Sequence, residues 1–255
     1  MRLTGEQKKA FDTQGFLVLK NFYAPAEMAA VSAFLDRLRD TKAEPGKEAK
    51  YYEKSPVSGE TLLVRVENLF GGLNPDMEAL LINGRVQALL NDLFGEPGRL
   101  FKEKVNYKVP GCRPDKLHQD QAAGWNAYAD FFITLCVAVD ANRKENAALS
   151  FLSSGNYKKA LMGPEWQVLS DDDPPYQPAS EYSLIEADPG DVIVFDSYVP
   201  HGSPSNTSAQ ARRNLFLTFN RASAGDLRMR YYQDKWKSYA PNKAEDARSD
   251  NSYRV

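Results

Sequence analysis

Near residue 100 the apolar pattern of this chain changes period, and that change limits the folds open to it. Before it, three segments carry apolar residues at helical spacing: 4 or 5 to 13, 25–39, and 76–93, the last announced by Asn74-Pro75. After it the apolar runs are short, rich in β-branched and aromatic residues, and bounded by turn residues: 100–109, 131–139, 148–152, 183–186, 191–195 and 215–220. Helices followed by many strands predict a mainly β fold with helical additions (α+β), a double-stranded β-helix or cupin-like jelly roll braced by N-terminal helices. We read 1–255 as one domain, with 1–99 largely helical support, 100–225 the jelly-roll core and 226–255 a C-terminal tail. At 42% hydrophobic residues such a chain can fill one substantial core. The stretch 40–54, with Pro45, Gly46 and several lysines, reads as a solvated loop that forms part of a lid.

Within that frame the chain has only two histidines. His118 opens His118-Gln119-Asp120, and in an extended chain residues two apart project to one side, so His118 and Asp120 reach one ion while Gln119 points elsewhere. His201 follows a strand, a Pro189-Gly190 turn and a buried strand ending near Asp196. Two imidazoles and one carboxylate on one face of an octahedron suit Fe(II) and leave positions for a co-substrate and O2. After the polar turn that begins His201-Gly202-Ser203, Arg212-Arg213 opens a further strand. An arginine fork grips a carboxylate through two parallel hydrogen bonds, and 2-oxoglutarate is a dicarboxylate whose far end needs such an anchor, so Arg212 is the co-substrate candidate. Adjacent strand residues face opposite ways, which makes Arg213 its exchange candidate.

These motifs resemble the phytanoyl-CoA dioxygenase (PhyH) family of Fe(II)/2-oxoglutarate oxygenases: His118-Gln119-Asp120, Pro189-Gly190-Asp191, His201-Gly202-Ser203 with Asn206, and Arg212 eleven residues past the distal histidine. The resemblance implies iron held by His118, Asp120 and His201, which are also the catalytic set. It implies 2-oxoglutarate held by Arg212 and the Ser203 hydroxyl, with Lys102 and Asn106 where polar contacts to 2-oxoglutarate occur and Lys104 where a substrate contact occurs. Halogenases of the superfamily replace the carboxylate ligand with a small residue, so Asp120 favours hydroxylation, although desaturation and ring formation use the same triad. The residues of the tail near Tyr232 resemble relatives acting on small polar metabolites, including aminoalkyl phosphonates.

Other positions are read from the residues. Under a two-residue period Lys102, Lys104 and Asn106 share one strand face at the barrel mouth. Thr134, on the strand at 131–139, is placed to hydrogen-bond the co-substrate. Trp125 and Tyr128, just after Asp120, are read as substrate walls beside the iron, and Gln119 is counted with the substrate contacts. The tail cations Arg228, Arg230, Lys235 and Lys237 are read as greeting an acidic group. The competing enzymatic reading is tailoring of a secondary metabolite, an alkaloid or polyketide, in an apolar pocket of Trp125, Tyr128 and Trp166. A reading of another class is a metal-binding or regulatory jelly roll without turnover.

A net charge of −2 excludes the electrostatic pull toward nucleic acid or anionic membrane. The first residues carry no apolar leader, and no run approaches the roughly 20 apolar residues of a membrane span, so a cytoplasmic protein is expected. A small-molecule substrate and a monomer or homodimer complete the expectation. Cys112 and Cys136 read as reduced thiols, Cys136 buried in a strand.

Overall fold

The computed structural model describes residues 2–174 and 176–243. Residues 244–255 of the expected tail lie outside the described residues, as does Pro175.

The first helix, α1 (Gly5–Gln14), starts where Thr4 and Gln7 cap each other's backbone N–H groups and stops at Gly15, whose φ of 78° only glycine adopts without strain. Strand β1 (Phe16–Leu19) leads to α2 (Pro25–Asp40), which buries Met28, Val31, Phe34, Leu35 and Leu38 on one face. The single helix expected over 76–93 is two: α3 (Pro75–Leu81) and α4 (Gly84–Phe94). Asn83 divides them, because its side chain accepts from the Arg85 and Val86 N–H groups and caps α4. The loop expected over 40–54 is also half wrong. Its second half is the strand β2 (Ala49–Lys54), paired with β3 (Thr61–Glu67), and its charged residues disguise the buried Ala49 and Tyr51.

The remaining strands are β4 (Gly98–Lys108), β5 (Asp115–His118), β6 (Phe132–Ala138), β7 (Leu149–Leu152), β8 (Tyr182–Ile185), β9 (Val192–Asp196), β10 (His201–Ser203) and β11 (Arg212–Arg221). They form two antiparallel sheets, a larger one in the order β1-β9-β6-β11-β4-β3-β2 and a smaller one in the order β5-β10-β7-β8. This is the expected jelly-roll architecture with helical support.

The larger sheet divides its residues by face. Val105, Leu135, Val137, Val192, Val194, Leu215 and Leu217 pack on the helices, in one core with Val31, Leu35, Leu89 and Leu90. At roughly 2 kcal/mol per fully buried aliphatic side chain, that contact fixes the sheet's orientation. The alternating residues of β4 and β11, Lys102, Lys104, Asn106, Arg212, Asn214 and Thr218, therefore face the other way, and the two-residue period reads that face correctly.

The tail is a helix, α5 (Arg228–Ser238), and its basic residues are not a reception surface for acids. Arg228 donates from Nε to Glu103 Oε2 at 2.9 Å and from Nη2 to Asn68 Oδ1 and the Phe70 carbonyl. Lys235 places its ammonium 2.8 and 2.7 Å from the two oxygens of Glu67, with both side chains fully buried. Lys237 pairs with Asp234 on the helix's own surface, and Arg230 reaches the Ala127 carbonyl.

Removing one member of a buried ion pair leaves the other uncompensated. Glu67→Gln, which strips the shared carboxylate from Lys235, Lys102 and Arg65 together, is expected to lower the unfolding free energy by about 3 kcal/mol or more in denaturant titration, and by more than Lys235→Met, which leaves Glu67 with its other cations. A Glu67→Gln variant as stable as wild type would contradict the pairing.

Candidate metal centre and its cavity

The smaller sheet brings the two histidines together. Strand β10 runs antiparallel to β5 with His201 directly opposite His118, and their ring centroids are 4.5 Å apart. Gly202 permits this approach: a Cβ there would stand 2.6 Å from the Asp115 carbonyl oxygen and 1.9 Å from the Tyr176 hydroxyl. After His118 the chain stays extended through Gln119 and then curls into a short turn at 120–122, which presents Asp120 beside both rings. One ligand atom from each of His118, Asp120 and His201 lies within 4.8 Å of the others, and all three residues are buried.

Each ring is aimed by its other nitrogen. His118 Nδ1 lies 2.7 Å from the Lys116 carbonyl and His201 Nδ1 lies 3.0 Å from the Val199 carbonyl, so both Nδ1 atoms carry the proton and both Nε2 lone pairs are free for a metal. These two backbone acceptors have no sequence signature. Burial, and next the proximity of His201, pull His118 down to about 4, and burial likewise lowers His201. Burial opposes the Asp120 charge, but His201, Lys104 and His118 more than offset it and hold the carboxyl below its usual value. Two neutral imidazoles and an ionised carboxylate, preaimed and close together, fit Fe(II).

Arg212, at the start of β11, is 2% exposed. Its Nη2 donates to the Ala147 carbonyl at 2.6 Å and its Nε to that of Asn146 at 3.3 Å, and it forms no ion pair with the described residues. Arg213 faces the opposite side, where it clasps Asp140 through Nε and Nη2 at 2.8 Å and reaches Asp36 and Ser32 of α2. Of the two arginines, Arg212 is the one on the inner face.

A cavity of about 200 Å³ opens beside the histidines, lined by Lys104, Asn106, Arg65, Arg113, Asp115 and Phe216, among others. Lys104 extends over the Phe216 ring, with Nζ 5.0 Å from its centroid, and makes no hydrogen bond or ion pair with the described residues. Burial, then Arg65 and Lys102, pull its ammonium down to about 7. Asn106 Oδ1 is buried with no hydrogen-bond partner among the described residues. The Ser203 hydroxyl donates to Asp115 Oδ2 at 3.0 Å. Burial opposes the Asp115 charge, but Lys108 and Arg113 hold this carboxylate well below its usual range.

Other expected site residues lie off the cavity wall. Lys102 is covered by α5, where it donates to the Tyr231 hydroxyl at 3.2 Å and sits over the Trp125 and Tyr231 rings. Trp125 and Tyr128 are a plug and not a wall: both rings pack on Phe101, Trp125 also on Phe132, and the Tyr128 hydroxyl is bound to Asp234. The two short turns at 120–122 and 125–127, joined through Gly124 at φ 72°, precede this packing, and neither ring lines the cavity beside the histidines. Trp166, their expected companion, lies over Gly124, and none of the three lines the cavity beside the histidines. Gln119 Nε2 donates to the carbonyls of Ala160 and Tyr198 while its Oε1 accepts from the Met162 N–H, which commits both amide donors to the backbone. The Thr134 hydroxyl is shared with that of Thr218 across the sheet at 2.9 Å. Arg65, Arg113 and Asp115 escaped sequence reading. The available signal was the pair of opposite charges, Arg65 and Glu67, two apart within an otherwise apolar run.

A family model described as phytanoyl-CoA dioxygenase (PhyH) matches residues 11–214. The 2-aminoethylphosphonate dioxygenase of an uncultured bacterium is 35% identical over 239 residues, covering 93% of this chain and 89% of that protein. The methylphosphonate hydroxylase of Gimesia maris is 32% identical over 238 residues, covering 93% and 88%. Among solved structures, EctD from S. alaskensis with 2-oxoglutarate and 5-hydroxyectoine superposes with a TM-score of 0.67 at 21% identity, covering 87% of this chain and 77% of that one. None of the described helices is long and apolar enough to cross a membrane.

Because the folded chain refuses protons on His118 until about pH 4 while the unfolded chain accepts them near 6.5, the metal-free protein carries a cost that grows as pH falls through that window. Relative to wild type, His118→Asn/His201→Asn is expected to gain stability between pH 6.5 and 4, read as a shift in denaturation midpoint. A difference that stays flat with pH would contradict it.

Proposed function

Because the chain belongs to the phytanoyl-CoA dioxygenase (PhyH) family, we propose for it the reaction of an Fe(II)- and 2-oxoglutarate-dependent dioxygenase, hydroxylation of a C–H bond, on a small acidic metabolite of the aminoalkyl phosphonate kind. The observation that carries this reading is the buried, preaimed triad His118, Asp120 and His201; Arg212, buried on the inner face of the larger sheet with no ion pair among the described residues, does not itself line the cavity beside the histidines and is the anchor we assign to the co-substrate. When bound, Fe(II) supplies the redox chemistry that divides O2 between the substrate C–H bond and 2-oxoglutarate, the latter leaving as succinate and CO2.

The chain's own residues do the positioning. His118 and His201 offer Nε2 because the Lys116 and Val199 carbonyls fix the opposite proton. Arg212 holds the far carboxylate of 2-oxoglutarate, a charge-assisted contact that compensates a guanidinium otherwise served by two backbone carbonyls. Ser203, whose hydroxyl donates to Asp115 Oδ2 in this structure, would turn that hydroxyl to the same end, and Asn106, whose Oδ1 has no partner among the described residues, would rotate its amide to add an N–H donor. Phosphonate recognition finds support in the cationic cavity wall and in the two relatives named for phosphonates. The tailoring reading finds less support, because Trp125, Tyr128 and Trp166 do not line the cavity beside the histidines.

Anaerobic addition of Fe(II) and 2-oxoglutarate is expected to give a weak metal-to-ligand charge-transfer band in the visible, absent in His201→Ala. Arg212→Ala should bind 2-oxoglutarate about 100-fold more weakly, corresponding to about 3 kcal/mol. Succinate release should then rise on addition of 2-aminoethylphosphonate. A metal-loaded, folded wild type without the band would overturn the assignment.

A further inference from the structure

The inner face of the larger sheet holds more positive charge than it balances. Among the described residues, Arg65, Lys102, Lys104 and Lys235, each at most 9% exposed, surround the single carboxylate of Glu67. Lys235 takes both Glu67 oxygens, and Arg65 Nη1 stands 3.5 Å from Oε1 of the same group. Glu103, the next carboxylate, is committed to Arg228. Asp115 serves Lys108 and Arg113. Asp120 acts on Lys104 only through space and belongs to the triad, so among the described residues no carboxylate forms an ion pair with Lys104, whose ammonium stands over Phe216 in the cavity that His118 and His201 also line. Arg65 lines the same cavity from β3, one strand away, in the row where Glu67 pairs with Lys104 across the sheet.

A buried ammonium without a counter-charge is costly, and a fold keeps one where a ligand supplies the missing anion. We propose that Arg65 joins Lys104, the substrate contact that the resemblance implies, in a clamp for the anionic head of the substrate, with Arg65, oriented by Glu67, as the residue that selects a doubly charged phosphonate over a carboxylate. The clamp rests on the phosphonate reading above. Two adjacent cations match the near-dianionic head of a phosphonate, whereas a carboxylate leaves one of them uncompensated. The guanidinium adds a planar fork and the ammonium a compact charge, so the head is held from two directions. The cavity wall offers no carboxylate free of cationic partners, since Asp115 is engaged, and the amine of an aminoalkyl phosphonate is therefore secondary to its anionic end.

The test is calorimetric titration of the protein loaded with Fe(II) and 2-oxoglutarate under anaerobic conditions, with ethylphosphonate, 2-aminoethylphosphonate and propionate as probes. Lys104→Gln removes an unpaired cation and leaves no group orphaned, while Arg65→Lys keeps the charge beside Glu67. The charge-transfer band reports whether the cofactor site is intact in each variant. The clamp predicts that wild type binds both phosphonates at least 10-fold more tightly than propionate. It predicts that Lys104→Gln and Arg65→Lys each weaken phosphonate binding about 10- to 100-fold. It also predicts that Lys104→Met melts a few degrees above wild type in the absence of ligand, a gain that a merely structural lysine would not give. Phosphonates bound equally by wild type and both variants would overturn the clamp and leave the phosphonate reading standing. A wild type that forms the band yet binds neither phosphonate would overturn that reading, and the clamp with it.

Discussion

The pairing of β10 with β5 is the contact on which the rest of this structure depends. One register places His201 opposite His118, and a slip of one residue would turn either ring to the far side of the sheet. The register in turn needs Gly202, because β10 can lie against β5 only where no Cβ intervenes. Each imidazole is then held by a carbonyl two residues upstream in its own chain, so ring aim follows from local backbone and needs no dedicated side chain.

The larger sheet solves a different problem. One face is apolar and anchored on the helices, while the other is a buried field of cations, amides and hydroxyls. Such a face stands only if nearly every charge has an answer within the protein. Helix α5 contributes on both faces: Lys235 meets Glu67 on the cationic face, while Arg228 meets Glu103, which the alternation of β4 places on the opposite one. Lys104 and Arg212 have no ion pair among the described residues, which is the ground on which we propose them as the anion contacts.

Much of this was legible in the chain. The jelly-roll class followed from the change of period near residue 100, and the triad from a His-x-Asp triplet with one distant histidine, because metal chemistry demands those residue types whatever their surroundings. The alternation of Lys102, Lys104 and Asn106 was readable too, but not their fates. Lys102 is capped by Tyr231 of a helix whose buried cations spoil its apolar spacing. β2 and β3 were missed because Glu53, Arg65 and Glu67 look like solvent-facing residues until a second layer covers them. Trp125 and Tyr128 sat close to Asp120 in sequence, yet they pack with Phe101 and do not line the cavity beside the histidines.

The order of the larger sheet carries a consequence for biosynthesis. Its central strand, β11, is the last to be made, and it alone joins the β6-β9-β1 half to the β4-β3-β2 half. Until residues 212–221 leave the ribosome, β4 and β6 each present an unpaired edge, and the nascent chain holds two half-sheets with no seam between them. Assembly is thus dominated by long-range pairing and completed late, the regime in which folding is slow and exposed edges invite association with other chains.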